Sequence, residues 1–130
     1  MTATLEAVQG LVRETLARPV DLEVRPDHLL FYDLAFTSMD LVDLLFRLED
    51  RFALAAPERA LVRLVQGEMA DDDFARDGVL TPKGRERLMA VLHDSPPEVF
   101  PDAIHSSTLP RYCTVAAVAR LVEAELRERG

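Results

Sequence analysis

Apolar side chains recur along this chain at three- and four-residue spacing in separate runs, each closed by proline, glycine or a polar cluster. Leu5, Val8, Leu11, Val12 and Leu16 share one face of a helix predicted from about Thr4 to Ala17, with Thr2 or Thr4 as its cap and Pro19 as its stop. Residues 19–36 read as a long ordered loop. Pro19 and Pro26 interrupt it, but Val20, Leu22, Val24, Leu29, Leu30, Phe31, Leu34 and Phe36 make it too apolar to lie free of the helices. A helical turn is expected after Asp27.

The second helix is predicted to begin at Ser38 or Met39 and to run about 15 residues, roughly 22 Å. Val42, Leu45, Leu48 (or Glu49) and Phe52 form its apolar stripe, widened by Leu41, Leu44 and Phe46; Asp40, Asp43, Arg47, Asp50 and Arg51 lie opposite. Pro57 and Glu58 suit the start of a third helix patterned by Leu61, Leu64, Val65 and Met69, and reaching about Met69. Asp71-Asp72-Asp73 and Asp77-Gly78 predict a solvated loop. Thr81-Pro82 opens another helix carrying Leu88, Met89, Val91 and Leu92, with Lys83, Arg85 and Arg87 as an exposed basic face. Prolines make residues 94–113 an irregular connection anchored by Val99, Phe100 and Ile104. Thr114 caps a last helix to about Glu128, along Val115, Val118, Leu121, Val122, Ala124 and Leu126. No strand pattern is evident, so the expected class is all-α.

Length and composition narrow the function. A chain of 130 residues, 48% apolar, suits one domain with a real core. Its formal net charge of −8 opposes nucleic acid and anionic membrane surfaces, and favours partners that present Lys and Arg. The lone Cys113 allows no internal disulfide and fits a reducing compartment. Without any apolar stretch of membrane-spanning length, a cytoplasmic monomer with no membrane insertion is expected.

Residues 33–54 resemble the prosthetic-group helix of the acyl carrier protein family. The match runs through Asp33, Leu34, Ala35, Phe36, Thr37, Ser38 and Met39, then Val42, Asp43, Leu44, Leu48, Glu49 and Phe52. Two further pieces fall in order: a helix followed by a long loop, and Tyr112-Cys113-Thr114-Val115 opening a last helix. The resemblance implies a helical bundle in which Ser38 carries covalent 4′-phosphopantetheine, added by a phosphopantetheinyl transferase. It further implies that Asp33, Thr37, Met39, Asp40, Asp43, Phe46 and Arg47 form the docking surface for that transferase and for acyl-transferring or condensing enzymes. The chain would then be a free-standing carrier in a specialised lipid or polyketide-type pathway, catalysing nothing itself. A peptidyl or aminoacyl carrier is the nearest variant. Independently of the resemblance, a serine at a helix start sits where unpaired amides and the positive dipole end favour a phosphate.

This chain departs from the family pattern at several points. Thr37 replaces an aspartate, Ala35 a glycine and Met39 a leucine. Core segments 1–57 and 111–130 enclose an insert, residues 58–110, that brings two additional helices to a single domain spanning 1–130. The insert is expected to enlarge the acyl chamber or select a partner, or else simply to stabilise. A carrier fold that is no longer modified, kept as an interaction domain, is the competing reading. A small hydrolase using His93 and Asp94 would need a nucleophile that the pattern does not supply. Cys113 reads as a buried packing residue, His28, His93 and His105 are too scattered for metal ligation, and Asp71-Asp72-Asp73 lacks calcium-loop spacing.

Overall fold

Helix α1 (Thr2–Leu16) turns Val8, Leu11 and Val12 inward, against α2 (Ser38–Phe52) on one side and α6 (Val115–Arg129) on the other. The computed structural model describes residues 2–16, 23–55 and 57–129. Ala17, Pro19, Val20 and Leu22, where the sequence predicts the end of α1 and the start of the loop, lie outside the described residues. Between α2 and α6 come α3 (Pro57–Gln66), α4 (Asp71–Phe74), the strands β1 (Ala75–Arg76) and β2 (Val79–Leu80), α5 (Pro82–Val91) and two 3₁₀ segments, Pro97–Val99 and Ser106–Tyr112. Helices dominate, and no described helix is long and apolar enough to cross a membrane.

The loop before α2 packs as its apolar content predicts. Val24, Leu29, Leu30, Leu34 and Phe36 are buried. The loop also caps α6, because carbonyls of His28 and Pro26 accept the amides of Val115 at 3.0 Å and Ala116 at 2.9 Å. Those amides have no partner within their own helix, so the loop supplies one and locks α6 to the approach of α2. Thr114 completes the cap, its hydroxyl oxygen accepting the Ala117 amide at 3.0 Å.

The second half is a small module packed on α3 and α6. Asp77 and Gly78 both take positive φ, 52° and 82°, which makes the two-residue turn joining β1 to β2 antiparallel. Strands of two residues are too short for alternation to show in a sequence, and this hairpin corrects the expectation of none. The triple aspartate is likewise not a plain loop, since Asp71–Phe74 forms one helical turn that buries Phe74. Helix α3 stops at Gln66 rather than Met69, and Gly67 follows at φ 58°, the left-handed residue that commonly ends a helix.

Helix α5 starts where Thr81-Pro82 predicts. The Thr81 oxygen accepts the Gly84 amide at 3.0 Å while its hydroxyl donates to the carbonyl of Asp73. Gly84 is buried, and a Cβ there would run into the backbone carbonyl of Phe74. The basic face of α5 is only partly free. Arg85 donates to the carbonyls of Pro101 at 2.9 Å and Phe100 at 3.0 Å, and Arg87 donates to that of Val65 at 2.9 Å. Arg85 thus holds irregular chain in place and Arg87 caps the end of α3, each by donating to backbone carbonyls.

Candidate functional site

At the start of α2, Ala35 takes φ 55° and redirects the chain, so that Phe36 enters the core and Thr37 stands outside it. Thr37 is the N-cap. Its side-chain oxygen accepts the Asp40 amide at 3.1 Å, and the Asp40 carboxylate accepts the Thr37 amide at 2.9 Å. This reciprocal pair uses two of the unpaired donors at a helix start. The first-turn amides of Ser38 and Met39 remain beyond the reach of any carbonyl of their own helix. Ser38 itself is exposed as the first helical residue, and Met39 beside it is 81% exposed.

Helix α2 carries two apolar stripes. Leu41, Leu44, Leu45, Leu48 and Phe52 face inward, with Leu44 and Leu48 fully buried. Met39, Val42 and Phe46 face outward, the latter two 51% and 64% exposed. At about 100° per residue, Ser38 lies between the stripes, with Leu45 on one side and Val42 on the other. Periodicity groups Val42 with Leu45, Leu48 and Phe52 on one stripe, and the structure corrects this by turning Val42 outward. Both stripes obey the same three-and-four spacing, so periodicity alone could not separate them. Phe46, which the same periodicity adds to the stripe of Val42, also belongs to the surface.

The remaining docking candidates make contacts that hold the fold. The Asp33 carboxylate accepts the Leu29 amide at 2.8 Å and tightens the loop. Arg47 bridges Asp43 at 3.2 Å and Glu14 of α1 at 3.1 Å, tying the two helices together. Thr37 and Asp40 engage each other.

Behind the inner stripe lies a small cavity of about 20 Å³, lined only by apolar side chains of the loop, α2, α3, the second 3₁₀ segment and α6, Leu41, Leu45, Leu61, Pro110 and Cys113 among them. Burial pushes the Cys113 thiol up to about 12, with the charge of Asp94 adding to the rise and Arg120 opposing it. The thiol therefore stays protonated and acts as a packing group. Asp94 does not form a dyad with His93. Its carboxylate accepts from the Thr114 hydroxyl at 2.7 Å and from Arg120 at 3.0 Å, while His93 is exposed. Among the described residues no group of three His, Cys, Asp or Glu is placed to hold a metal.

Residues 6–65, just under half of the chain, match the family model described as the phosphopantetheine attachment site. No curated protein and no solved structure matches the chain. The matched span contains α2 entirely and ends inside α3. The residues present fit such an arm: an exposed hydroxyl, first-turn amides to receive a phosphate, and apolar surface on either side.

Proposed function

We propose that this protein, whose residues 6–65 match the phosphopantetheine attachment site family model, is an acyl carrier that bears the arm covalently on Ser38. The arm supplies a thiol that holds cargo as a thioester. The observation that carries the choice of Ser38 is its position: an exposed hydroxyl on the first turn of α2, between an outward apolar stripe and a buried one.

Each surface then has a role. The Ser38 hydroxyl is the acceptor for a phosphopantetheinyl transferase. Met39, Val42 and Phe46 are the apolar contacts for that enzyme and for acyl-transferring or condensing enzymes, rimmed by Asp33, Thr37, Asp40, Asp43 and Arg47. Leu41 and Leu45 lead from Ser38 to the cavity, whose wholly apolar lining favours an acyl chain over an aminoacyl or peptidyl cargo. Leu61 of α3 and Pro110 of the second 3₁₀ segment stand in that lining, so two parts of the insert wall the chamber, which supports a cargo role for it beyond plain stabilisation. Leu88 and Leu92 of the insert's last helix are buried but lie outside the lining. A specialised lipid or polyketide-type pathway is the setting this reading favours.

Intact mass after incubation with a promiscuous phosphopantetheinyl transferase and coenzyme A tests the assignment. One phosphopantetheine should be gained, and none in Ser38→Ala. No gain, or a gain that survives the substitution, would overturn it.

A further inference from the structure

The apolar cavity and a larger cleft lie back to back across Pro110, which lines both. The cleft, about 490 Å³, opens between α3 and the second 3₁₀ segment and is lined by Arg59, Val62, Arg63, Ser106, Ser107 and Pro110. In a chain of net charge −8, two guanidinium groups one helical turn apart beside two serines reverse the local sign. Among the described residues no carboxylate pairs with the exposed Arg59. Arg63 contacts Glu125 through one nitrogen at 3.1 Å and keeps 56% of its side chain in solvent.

We propose that this cleft reads a carboxylate at the far end of the cargo, so that the preferred acyl group is ω-carboxylated rather than methyl-ended. The inference rests on the carrier reading above. A chain tethered at Ser38 would follow Leu41 and Leu45 into the cavity, pass Pro110 and present its terminal carboxylate to Arg59 and Arg63. The apolar lining suits the methylene run, and a planar guanidinium suits a carboxylate in bidentate geometry. A methyl end gains nothing from the arginines and leaves them solvated, so the two ends are discriminated by what only one can pair with. A cavity of about 20 Å³ holds no chain as it stands, so Pro110 and Leu61 must part to admit one.

The test uses the full chain loaded at Ser38 with octanoyl- or suberoyl-phosphopantetheine, two arms that differ mainly at the far end. Amide shifts and the rate of thioester loss to hydroxylamine are compared. Suberoyl should move the amides of Arg59, Val62, Arg63, Ser106 and Ser107 and should survive about fivefold longer than octanoyl, a discrimination appropriate to a partly exposed charged pair. The double variant Arg59→Gln, Arg63→Gln should erase the difference. Equal shifts and lifetimes for the two arms, or a difference that persists in the double variant, would sink the inference while leaving the carrier assignment intact. If neither arm loads onto Ser38, the carrier assignment fails and the inference falls with it. If acidic peptides in solution shift the cleft amides but the tethered carboxylate does not, the cleft is a partner surface and the inference is again overturned.

Discussion

The outward face of α2 and the module around α5 expose opposite solutions to the same problem. Both are amphipathic helices at the protein surface. On α2, Met39, Val42 and Phe46 each keep half or more of their surface in solvent. Around α5, polar side chains close the surface: Arg85 and Arg87 reach across to carbonyls of other segments, Ser95 donates to the carbonyl of Tyr112 at 2.6 Å, and Arg120 joins Asp94 and the carbonyl of Val91 at 3.2 Å. A face left bare beside an exposed serine is available to partners. A face stitched shut serves the fold, and the contrast separates docking surface from scaffold on one molecule.

The strongest way to break this contrast is to show that the module is separable. Leu88 is fully buried, and Leu88→Ala should lower unfolding free energy by about 3 kcal/mol. Because α5 packs on α3, and α3 on α2 and α6, the loss should appear in a single urea transition of the whole chain. A separate early transition would mean that the module is an appendage.

Next in size is the effect of Phe46→Ala. Stability should change by less than about 0.5 kcal/mol because the ring is exposed, while the efficiency of loading by the transferase should fall about tenfold, near 1.4 kcal/mol. A drop in stability without a drop in loading would reverse the roles given to the two faces.

The Asp94 network offers a smaller, pH-dependent contrast. Burial acts to raise the Asp94 carboxyl, but hydrogen bonds from Arg120 and Thr114 and the arginine's charge outweigh it, holding the group below its ordinary value of 3.8. A depressed folded-state value contributes stability above the unfolded value and loses it as pH falls through the folded one. Asp94→Asn should therefore cost about 1 kcal/mol at pH 7, a figure reduced by the partial exposure of Arg120. The gap to the parent protein should close below pH 3.8 in urea titrations, and a gap that stayed constant into acid would rule the charge out as its source.

The smallest expected effect is a gain. Ala35 holds φ 55°, where a Cβ is strained. Ala35→Gly should stabilise by about 0.5 kcal/mol, the relieved strain exceeding the added freedom of the unfolded chain. A lower melting temperature would show that the Cβ contributes packing at the turn.

Much of this was legible in the residues alone. Caps and prolines marked the starts of α2, α5 and α6, because Thr37, Thr81 and Thr114 act on amides three residues away and need no distant partner. The register around Ser38 pointed to the same segment that the family model matches. What local pattern could not decide was which of two equally periodic stripes on α2 is covered. Leu41, Leu44 and Leu48 are inside because α6, α3 and Pro110 converge on them, whereas Val42 on the other side of the helix stays half exposed. The same holds for Arg85 and Arg87, whose carbonyl acceptors lie far away in the chain, and for Pro110, set between an apolar cavity and an arginine-lined cleft. Capping and turn chemistry act over a few bonds and are written in neighbouring residues. Burial depends on which distant segments arrive, and only the folded chain determines that.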